Sequence, residues 1–213
     1  MQTVITFNKL DEIRYSAFSW RQSLAIPQKI ALTFAMAGLT GLAAQITIQL
    51  PWTPVPITGQ TFAVLLSGVL LGVGWGGFSQ ALYAILGFAG VHWFAGASGG
   101  KAILLGATSG YIFGFILAAL FLGYFTDKYI RSRSFFPMLG LMLFANFVLI
   151  YGSGLIVLYN WLHAVKGMSP GFYTLLQLGA IPFILGDTLK VIAAAAVAKA
   201  ITPKRAYGAK FKK

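Results

Sequence analysis

Long apolar runs, separated by short breaks rich in glycine, proline or charge, extend over most of the chain. Their positions predict six membrane spans, at residues 29–50, 60–72, 78–95, 104–125, 137–162 and 175–200. An α-helix needs about 20 apolar residues to cross the hydrocarbon core of a bilayer. We therefore predict an all-α, polytopic membrane fold over residues 29–200, preceded by a segment of mixed polarity (1–28) and followed by a basic tail (201–213). Residues 72–77 are predicted to form a tight turn.

The composition supports a membrane protein. The chain is 58% hydrophobic and 9% charged, whereas soluble domains carry about 25% charged residues. A formal charge of +12 would suit a nucleic-acid partner, but the basic residues cluster at both termini and in the 127–133 loop, beside apolar spans. The tendency of basic residues to stay on the cytoplasmic side explains this distribution better. We expect no nucleic-acid partner and a location in a lipid bilayer.

The basic residues also predict the orientation of the spans. Of the sixteen Lys and Arg, all but Lys101, Lys166 and Lys190 fall on the side that holds both termini. That side is therefore predicted to be cytoplasmic. The loops at 51–59, 96–102 and 163–172 then face outward. Because the first is rich in proline and the second in glycine, we expect these two loops to cover a ligand site that is reached from outside.

Two segments allow two interpretations each. The first is an apolar stripe at helical spacing before the first span, formed by Leu10, Ile13, Ala17, Trp20 and Leu24. It fits either a helix lying in the membrane interface or a frayed cytoplasmic tail. The second is a stripe of small residues in the first span, formed by Ala31, Ala35 and Gly38. It fits either packing within the bundle or a docking face for another subunit.

An acidic and a basic residue interrupt the last apolar run. Asp187 is the only one of the four acidic residues in the middle of such a run, and Lys190 falls on the same helical face. A charge in mid-bilayer costs roughly 2.5–3.5 kcal/mol, so the pair indicates a functional site. An ion pair that only fixes packing and a proton relay are the alternatives. A carboxylate accepts and an ammonium donates hydrogen bonds, so together they suit a compact neutral group such as a cyclic urea or amide.

Other candidate chemistry is weak. His92 and His163 lie at span ends, without the neighbouring ligands that a metal site requires, and residues 96–101 lack the spacing of a phosphate-binding loop. The chain contains no cysteine. We predict neither an enzyme nor a metal or cofactor site. Trp93, Phe94 and Tyr111 flank the outer loops, where they either enclose an apolar ligand ring or form part of the interfacial aromatic belt.

Five motifs in conserved order and spacing resemble the BioY family, the biotin-binding S components of energy-coupling-factor (ECF) transporters. They are AQITI at 44–48, PVPITGQT at 54–61, FAGASGG at 94–100, GATSGY at 106–111 and PFILGDTLK at 182–190. Each motif is weak alone, but the set is specific and covers about residues 28–200. Ala97 departs from the pattern, because the family often has glycine there.

The resemblance implies a six-helix S-component fold with a vitamin pocket near the outer face. It implies that Asp187 and Lys190 meet the ureido ring of biotin together with Ser98, and it points less strongly to Tyr111 and Gln60. It also implies that two loops cap the pocket, with Pro54, Pro56 and Thr58 in the first loop and Gly96 and Gly99 in the second. Finally, it implies that an Ala-x-x-x-Ala pair, Ala31 and Ala35, contacts a scaffold subunit.

From the resemblance we expect biotin uptake across the cytoplasmic membrane. The chain has no ATPase motif, so ATP hydrolysis would be supplied by two ATPase subunits, joined through a transmembrane scaffold subunit. The alternatives are an S component for another vitamin, a biotin facilitator that works alone, and a membrane protein without transport activity.

Overall fold

The structure, a computed structural model, describes residues 12–16, 18–21 and 23–203. This part of the chain is mostly helical. The helices, in chain order, are α1 (Ile26–Gln45), α2 (Gln60–Phe88), α3 (Lys101–Leu104), α4 (Ser109–Lys128), α5 (Phe135–Phe144), α6 (Tyr151–Lys166), α7 (Phe172–Gly179) and α8 (Ile184–Ile201). A π-helical turn over Ala145–Ile150 joins α5 to α6. Short 3-10 turns occupy Ile130–Arg133 and Ile181–Phe183.

Four helical runs within the described residues are long and apolar enough to cross a membrane. They are Gln60–Phe88, Ser109–Lys128, Phe135–Lys166 and Phe172–Ile201. The prediction of a helical, polytopic membrane protein is therefore confirmed at this level. The predicted first span corresponds to α1, which is helical but falls outside these four runs.

Gly72 divides α2 into two antiparallel halves. Its φ of 81° and ψ of 179° are accessible to glycine and strained for other residues. A Cβ atom at Gly76 would lie 2.8 Å from both Gly68 Cα and Ser67 O. Residues eight positions apart in one straight helix are separated by about 12 Å, so the second half must fold back along the first. The predicted spans at 60–72 and 78–95 correspond to these two halves, but the second half ends at Phe88 rather than at residue 95. A single residue replaces the longer turn predicted at 72–77.

An ion pair joins the N-terminal helical residues to this reversal. Arg21 pairs with Asp127 at the end of α4. The Arg21 guanidinium also donates to the carbonyls of Val69 and Leu70 at 3.1 and 3.0 Å, which are among those left without helical partners when the helix ends. Asp127 in turn accepts from the Val73 amide at 3.2 Å. The N-terminal residues, the α2 reversal and the end of α4 are thus held together.

The predicted stripe before the first span is only partly described. Leu10 and Ala17 lie outside the described residues, as do residues 204–213 of the basic tail. Ile13 and Trp20 are exposed, whereas Leu24 is buried. An interfacial position for the two exposed side chains stays a prediction.

Pro182 interrupts the last predicted span. The apolar run at 175–200 was predicted as one helix, but the chain forms α7, a 3-10 turn and then α8. Proline lacks an amide hydrogen and clashes with the preceding helical turn. The break places Asp187 in the first turn of α8, where the helix dipole favours a carboxylate. It also frees the Gly179 carbonyl, which accepts a hydrogen bond from the Tyr111 hydroxyl at 2.6 Å.

The two outer loops contain more regular structure than predicted. The proline-rich loop is flanked by strands β1 (Thr47–Ile48) and β2 (Ile57–Thr58), which pair antiparallel. The glycine-rich loop is followed by the short helix α3, and α4 begins at Ser109 rather than at residue 104. We call the segments 49–58 and 93–100 the hairpin loop and the glycine-rich loop.

Glycines allow α4 to lie close to its neighbours. A Cβ atom at Gly68 of α2 would lie 2.3 Å from the Ala119 carbonyl of α4, and one at Gly110 of α4 would lie 2.4 Å from the Ser153 carbonyl of α6. Small residues permit such approach in lipid, where close packing replaces the hydrophobic drive between helices. Helix α4 therefore lies between α2 and α6.

We predict that Gly76→Ala destabilises the protein, because the added methyl group would overlap the other half of α2. Overpacking of this kind typically lowers the free energy of unfolding by about 1–3 kcal/mol. Gly74→Ala is the matched control, since nothing lies within 4 Å of a Cβ atom at Gly74. Thermal unfolding in detergent measures both variants. Equal midpoints for the two would contradict the reversal at Gly72.

Candidate ligand-binding site

A cavity of about 320 Å³ lies beside the hairpin and glycine-rich loops. Its size falls at the lower end of the range for small-molecule sites, about 300–1,000 Å³. Residues from both loops, from the start of α2, from α4 and α6 and from α8 form the wall. The polar members of the lining are Gln49, Thr58, Gln60, Thr61, Ser98, Thr108, Tyr111, Tyr151, Asp187 and Lys190. The larger apolar members are Val55, Ile57, Phe94, Ile103, Ile112, Phe115, Ile150, Trp161 and Phe183.

The Asp187 carboxylate, only 4% exposed, is surrounded by donors. Its Oδ1 atom pairs with the Lys190 ammonium and accepts from the Thr61 hydroxyl at 3.3 Å. Its Oδ2 atom accepts from the Tyr151 hydroxyl at 2.9 Å and from the Asn146 amide at 3.3 Å. A buried charge is tolerated when it is both paired and hydrogen-bonded. These donors fix the carboxylate at the edge of the cavity.

The Lys190 ammonium links α8 to the hairpin loop. Besides Asp187, it donates to the Thr58 carbonyl of β2 at 2.7 Å. An ammonium group carries three donors, and these two partners use two of them. The third is available to an acceptor in the cavity. The site therefore offers a carboxylate acceptor and an ammonium donor next to each other, as the sequence predicts.

The π-helical turn brings Asn146 and Tyr151 to the same carboxylate. Residues five positions apart point about 140° away from each other on an α-helix. Over Ala145–Ile150 the wider π-helical turn reduces this divergence, so both side chains reach Asp187 Oδ2. Such turns occur frequently at functional sites.

Sequence reasoning missed three of the groups that hold Asp187: Thr61, Asn146 and Tyr151. Asn146 carried a usable signal, because an amide in the middle of an apolar run must find a polar partner. Thr61 and Tyr151 carried little, since hydroxyl side chains are common in membrane spans. The π-helical turn that aligns two of them leaves no mark in the hydropathy pattern.

All five predicted ligand residues line this one cavity: Asp187, Lys190, Ser98, Tyr111 and Gln60. The Ser98 hydroxyl donates to the Ala95 carbonyl at 2.8 Å. The structure thus gathers residues that lie far apart in the sequence. Their contact with a ligand stays a prediction.

The predicted capping residues divide into two groups. Pro54, Pro56 and Thr58 of the hairpin loop line the cavity. Gly96 and Gly99 lie in the glycine-rich loop but are not among the lining residues. These two glycines allow the backbone conformation of the loop instead. Gly96 has a φ of 68°, and a Cβ atom at Gly99 would lie 2.5 Å from the Val91 carbonyl.

Ala97 also occupies the left-handed region, with a φ of 51°. This conformation costs a residue other than glycine roughly 1–2 kcal/mol, which gives a physical reason for the glycine often found at this position in the family pattern. The Ala97 amide donates to Gln45 Oε1 at 3.0 Å, and this contact helps to hold the strained residue in place.

The aromatic residues beside the outer loops have different positions. Phe94 and Tyr111 are buried and line the cavity. Trp93 does not line it, and its indole nitrogen donates to the Tyr83 carbonyl at 3.1 Å. Phe94 and Tyr111 are thus part of the cavity wall, whereas Trp93 packs behind it, and contact of the first two with an apolar ligand ring stays a prediction.

The predicted docking pair lies on a different surface. Ala31 and Ala35 are exposed on α1, on the side opposite to the buried Thr33, Ala37 and Thr40. Packing within the bundle therefore does not account for the stripe. A partner at this face stays a prediction.

Apolar helical runs around a cavity with a buried ion pair define a polytopic membrane protein with a candidate small-molecule site. A sequence model described as the BioY family matches residues 15–207. The chain belongs to the BioY family, as its motifs indicated.

Curated relatives agree with this assignment. The chain is 59% identical over 143 residues to the probable biotin transporter BioY of Methanothermobacter thermautotrophicus, covering 67% of this chain and 91% of that protein. It is 37% identical over 152 residues to the biotin transporter BioY of Thermotoga maritima, covering 71% and 83%. The names of these relatives indicate a family of transport proteins rather than enzymes.

A solved structure shares the fold. It is the crystal structure of the S component for biotin from an ECF-type ABC transporter, with a TM-score of 0.71 and 24% sequence identity, covering 83% of this chain and 93% of that one. The prediction of an S-component fold is confirmed at the level of overall architecture.

We predict that Lys190→Met destabilises the ligand-free protein by about 3 kcal/mol, because it removes one partner of a buried ion pair. The double variant Asp187→Asn/Lys190→Met should recover part of this loss, since both charges are then absent. Lys199→Met, at an exposed lysine of the same helix, is the control. Thermal unfolding of the purified variants provides the comparison. A double variant that is less stable than Lys190→Met would show that the pair is not an electrostatic unit.

Proposed function

We propose that this chain captures biotin as the substrate-binding (S) component of an ECF-type transporter and serves biotin uptake across the cytoplasmic membrane. The observation that carries the proposal is the Asp187–Lys190 pair at the edge of an otherwise mainly apolar cavity. The names of the curated relatives and the similar solved structure support the choice of ligand.

The ureido ring of biotin has the chemistry that this pair can recognise. It carries two N–H donors and one carbonyl acceptor in a compact neutral group. The Asp187 carboxylate offers about four acceptor positions, and the four donors around it occupy them in the ligand-free arrangement. We infer that a ureido N–H takes the place of Lys190 on Oδ1. The ureido carbonyl then accepts from the displaced ammonium.

The remaining site residues complete this proposal. Ser98 lies in the glycine-rich loop and lines the cavity, and we propose that it contacts the same ring. Tyr111 and Gln60 border the cavity as secondary polar contacts. The apolar wall, including Phe94 and Phe115, would enclose the second ring and the aliphatic chain of the ligand.

The membrane topology is part of the same proposal. We propose six helices, with residues 29–200 as the membrane domain, and residues 1–28 and 201–213 as cytoplasmic segments. The bend of α2 supports this arrangement: the chain enters the bilayer after the hairpin loop, reverses at Gly72 and returns to the glycine-rich loop. Both loops lie beside one cavity, which supports placing them on the same side of the membrane.

The energy source is proposed to lie in partner subunits. A transmembrane scaffold subunit would contact the exposed face of α1 at Ala31 and Ala35, and two ATPase subunits would act through the scaffold. A biotin facilitator that works alone, and an S component for a different vitamin, are the alternatives that the experiments below separate.

We expect purified protein to bind biotin with a sub-micromolar dissociation constant. Asp187→Asn and Lys190→Ala should each weaken binding about 10- to 100-fold, because each leaves a polar group of the buried ligand without its charged partner. Lys199→Met should bind like the parent. Isothermal titration with a panel of competing vitamins checks both affinity and selectivity. Absence of sub-micromolar biotin binding, or unaltered binding by the two site variants, would refute the proposed ligand.

We expect Ala31→Trp/Ala35→Trp to prevent co-purification with the scaffold and ATPase subunits while biotin binding is retained, because bulky side chains would block close helix approach. Ala196→Trp/Ala200→Trp on α8 is the matched control, since these alanines are exposed at the same spacing. Uptake assays with and without the ATPase module complete the test. Full uptake without the module would favour the stand-alone facilitator.

A further inference from the structure

A chain of hydrogen bonds leads from the ion pair to the glycine-rich loop. Lys190 donates to the Thr58 carbonyl at 2.7 Å, and the Thr58 hydroxyl donates to Gln60 Oε1 at 2.9 Å. The Gln60 amide donates to the Tyr83 hydroxyl at 2.5 Å. That hydroxyl donates in turn to the Trp93 carbonyl at 3.4 Å. Every group acts as donor or acceptor in a way its chemistry allows, so the whole chain can exist at once.

Tyr83 supports the glycine-rich loop from behind the cavity wall. It is 0% exposed and is not among the residues that line the cavity. Its ring centroid lies 5.2 Å from that of Trp93 and 5.1 Å from that of Phe94. Phe94 is itself seated against Gly87, where a Cβ atom would lie 2.1 Å from the Phe94 ring. Tyr83 therefore holds the loop through both its ring and its hydroxyl.

Gln45, at the end of α1, provides a second anchor for the same loop. Its amide nitrogen donates to the carbonyls of Trp93 and Phe94 at 3.1 and 3.2 Å. Its Oε1 atom accepts from the Ala97 amide at 3.0 Å. Ser98 is positioned by two backbone hydrogen bonds with Phe94, at 3.0 and 3.4 Å. The place of Ser98 at the cavity thus depends on contacts made outside it.

We propose that Tyr83 and Gln45 are positioning residues that hold the glycine-rich loop closed, and that Tyr83 couples this loop to Lys190 through Gln60 and Thr58. A ligand that engages Lys190 would then be coupled to the position of the glycine-rich loop, because Thr58, Gln60 and Tyr83 form one connected network between the two. The identity of that ligand rests on the proposed function. The positioning role of Tyr83 and Gln45 does not depend on which ligand binds.

Tyr83→Phe isolates the hydroxyl, because it keeps the ring packing against Trp93 and Phe94. We expect biotin to dissociate about five- to tenfold faster, the effect of losing a buried hydrogen bond that keeps the loop closed. The association rate should change little. Tyr159→Phe, at an exposed tyrosine of α6, is the control and should leave both rates unchanged. Equal dissociation rates for Tyr83→Phe and the control would overturn the coupling.

A measurement on ligand-free protein tests the positioning role separately. Hydrogen exchange of the Ala97 and Ser98 amides should be faster in Tyr83→Phe and in Gln45→Leu than in the parent, measured below the thermal unfolding midpoint of each variant. Unchanged exchange would overturn the inference, whatever the ligand. Faster exchange in a protein that fails to bind biotin would support the positioning role and refute only the proposed ligand.

A double variant distinguishes coupling from two independent effects. If Tyr83 acts through the loop that carries Ser98, the effect of Tyr83→Phe on biotin dissociation should be smaller in a Ser98→Ala background than in the parent. Independent effects would multiply. Multiplication within experimental error would therefore contradict a route from Tyr83 through this loop.

Discussion

A carboxylate buried among apolar helices must accept hydrogen bonds at both of its oxygen atoms. Meeting this requirement for Asp187 brings several helices together around it. Its donors come from α2, from the π-helical turn, from α6 and from α8. None of these elements satisfies the charge alone. The helices must therefore meet in one register for the charge to be tolerated. The break at Pro182 and the π-helical turn are local departures from regular helix that make this convergence possible.

The donors that meet at Asp187 also make the Asp187–Lys190 pair suitable for recognising a ligand. Because the carboxylate is already satisfied in the ligand-free protein, the cavity contains no unpaired buried charge. A ligand that carries both donors and an acceptor can exchange places with the Lys190 ammonium and leave the count of hydrogen bonds nearly unchanged. A ligand with donors alone, or acceptors alone, would leave one charged partner unsatisfied at a cost of about 1–3 kcal/mol. Selectivity then follows from the polar ring of the ligand rather than from cavity size.

The sequence was informative where a residue type is rare in its surroundings. Asp187 and Lys190 were identified because charges are costly in an apolar run, and the proline and glycine content of the outer loops marked them as special. The partners of Asp187 were not identified, because contacts such as that with Thr61 depend on tertiary packing between distant segments. Pro182 could have predicted the break in the last span, but the apolar residues on both sides made the run look like a single helix.

The hydropathy pattern and the structure also differ in how the chain turns between two of the spans. Hydropathy located the halves of α2 as two spans, and the structure shows that one glycine suffices to reverse the chain between them. The close approach of Gly68 and Gly76 at this reversal depends on the absence of side chains, which a hydropathy profile does not record. The resemblance to the BioY family pointed to the two outer loops and to the ion pair. The π-helical turn and the hydrogen bonds made by Tyr83 and Gln45 could be seen only in the folded structure.

In the proposed site, Asp187 accepts a hydrogen bond from the ureido ring of the ligand. The affinities of the parent and of Asp187→Asn for biotin, and for an analogue methylated at a ureido nitrogen, test this contact most directly. We expect methylation to weaken binding to the parent far more than binding to the variant, because the lost N–H has its charged acceptor only in the parent. If methylation weakens binding to both proteins by the same factor, the ring does not contact Asp187 and the proposed site is wrong.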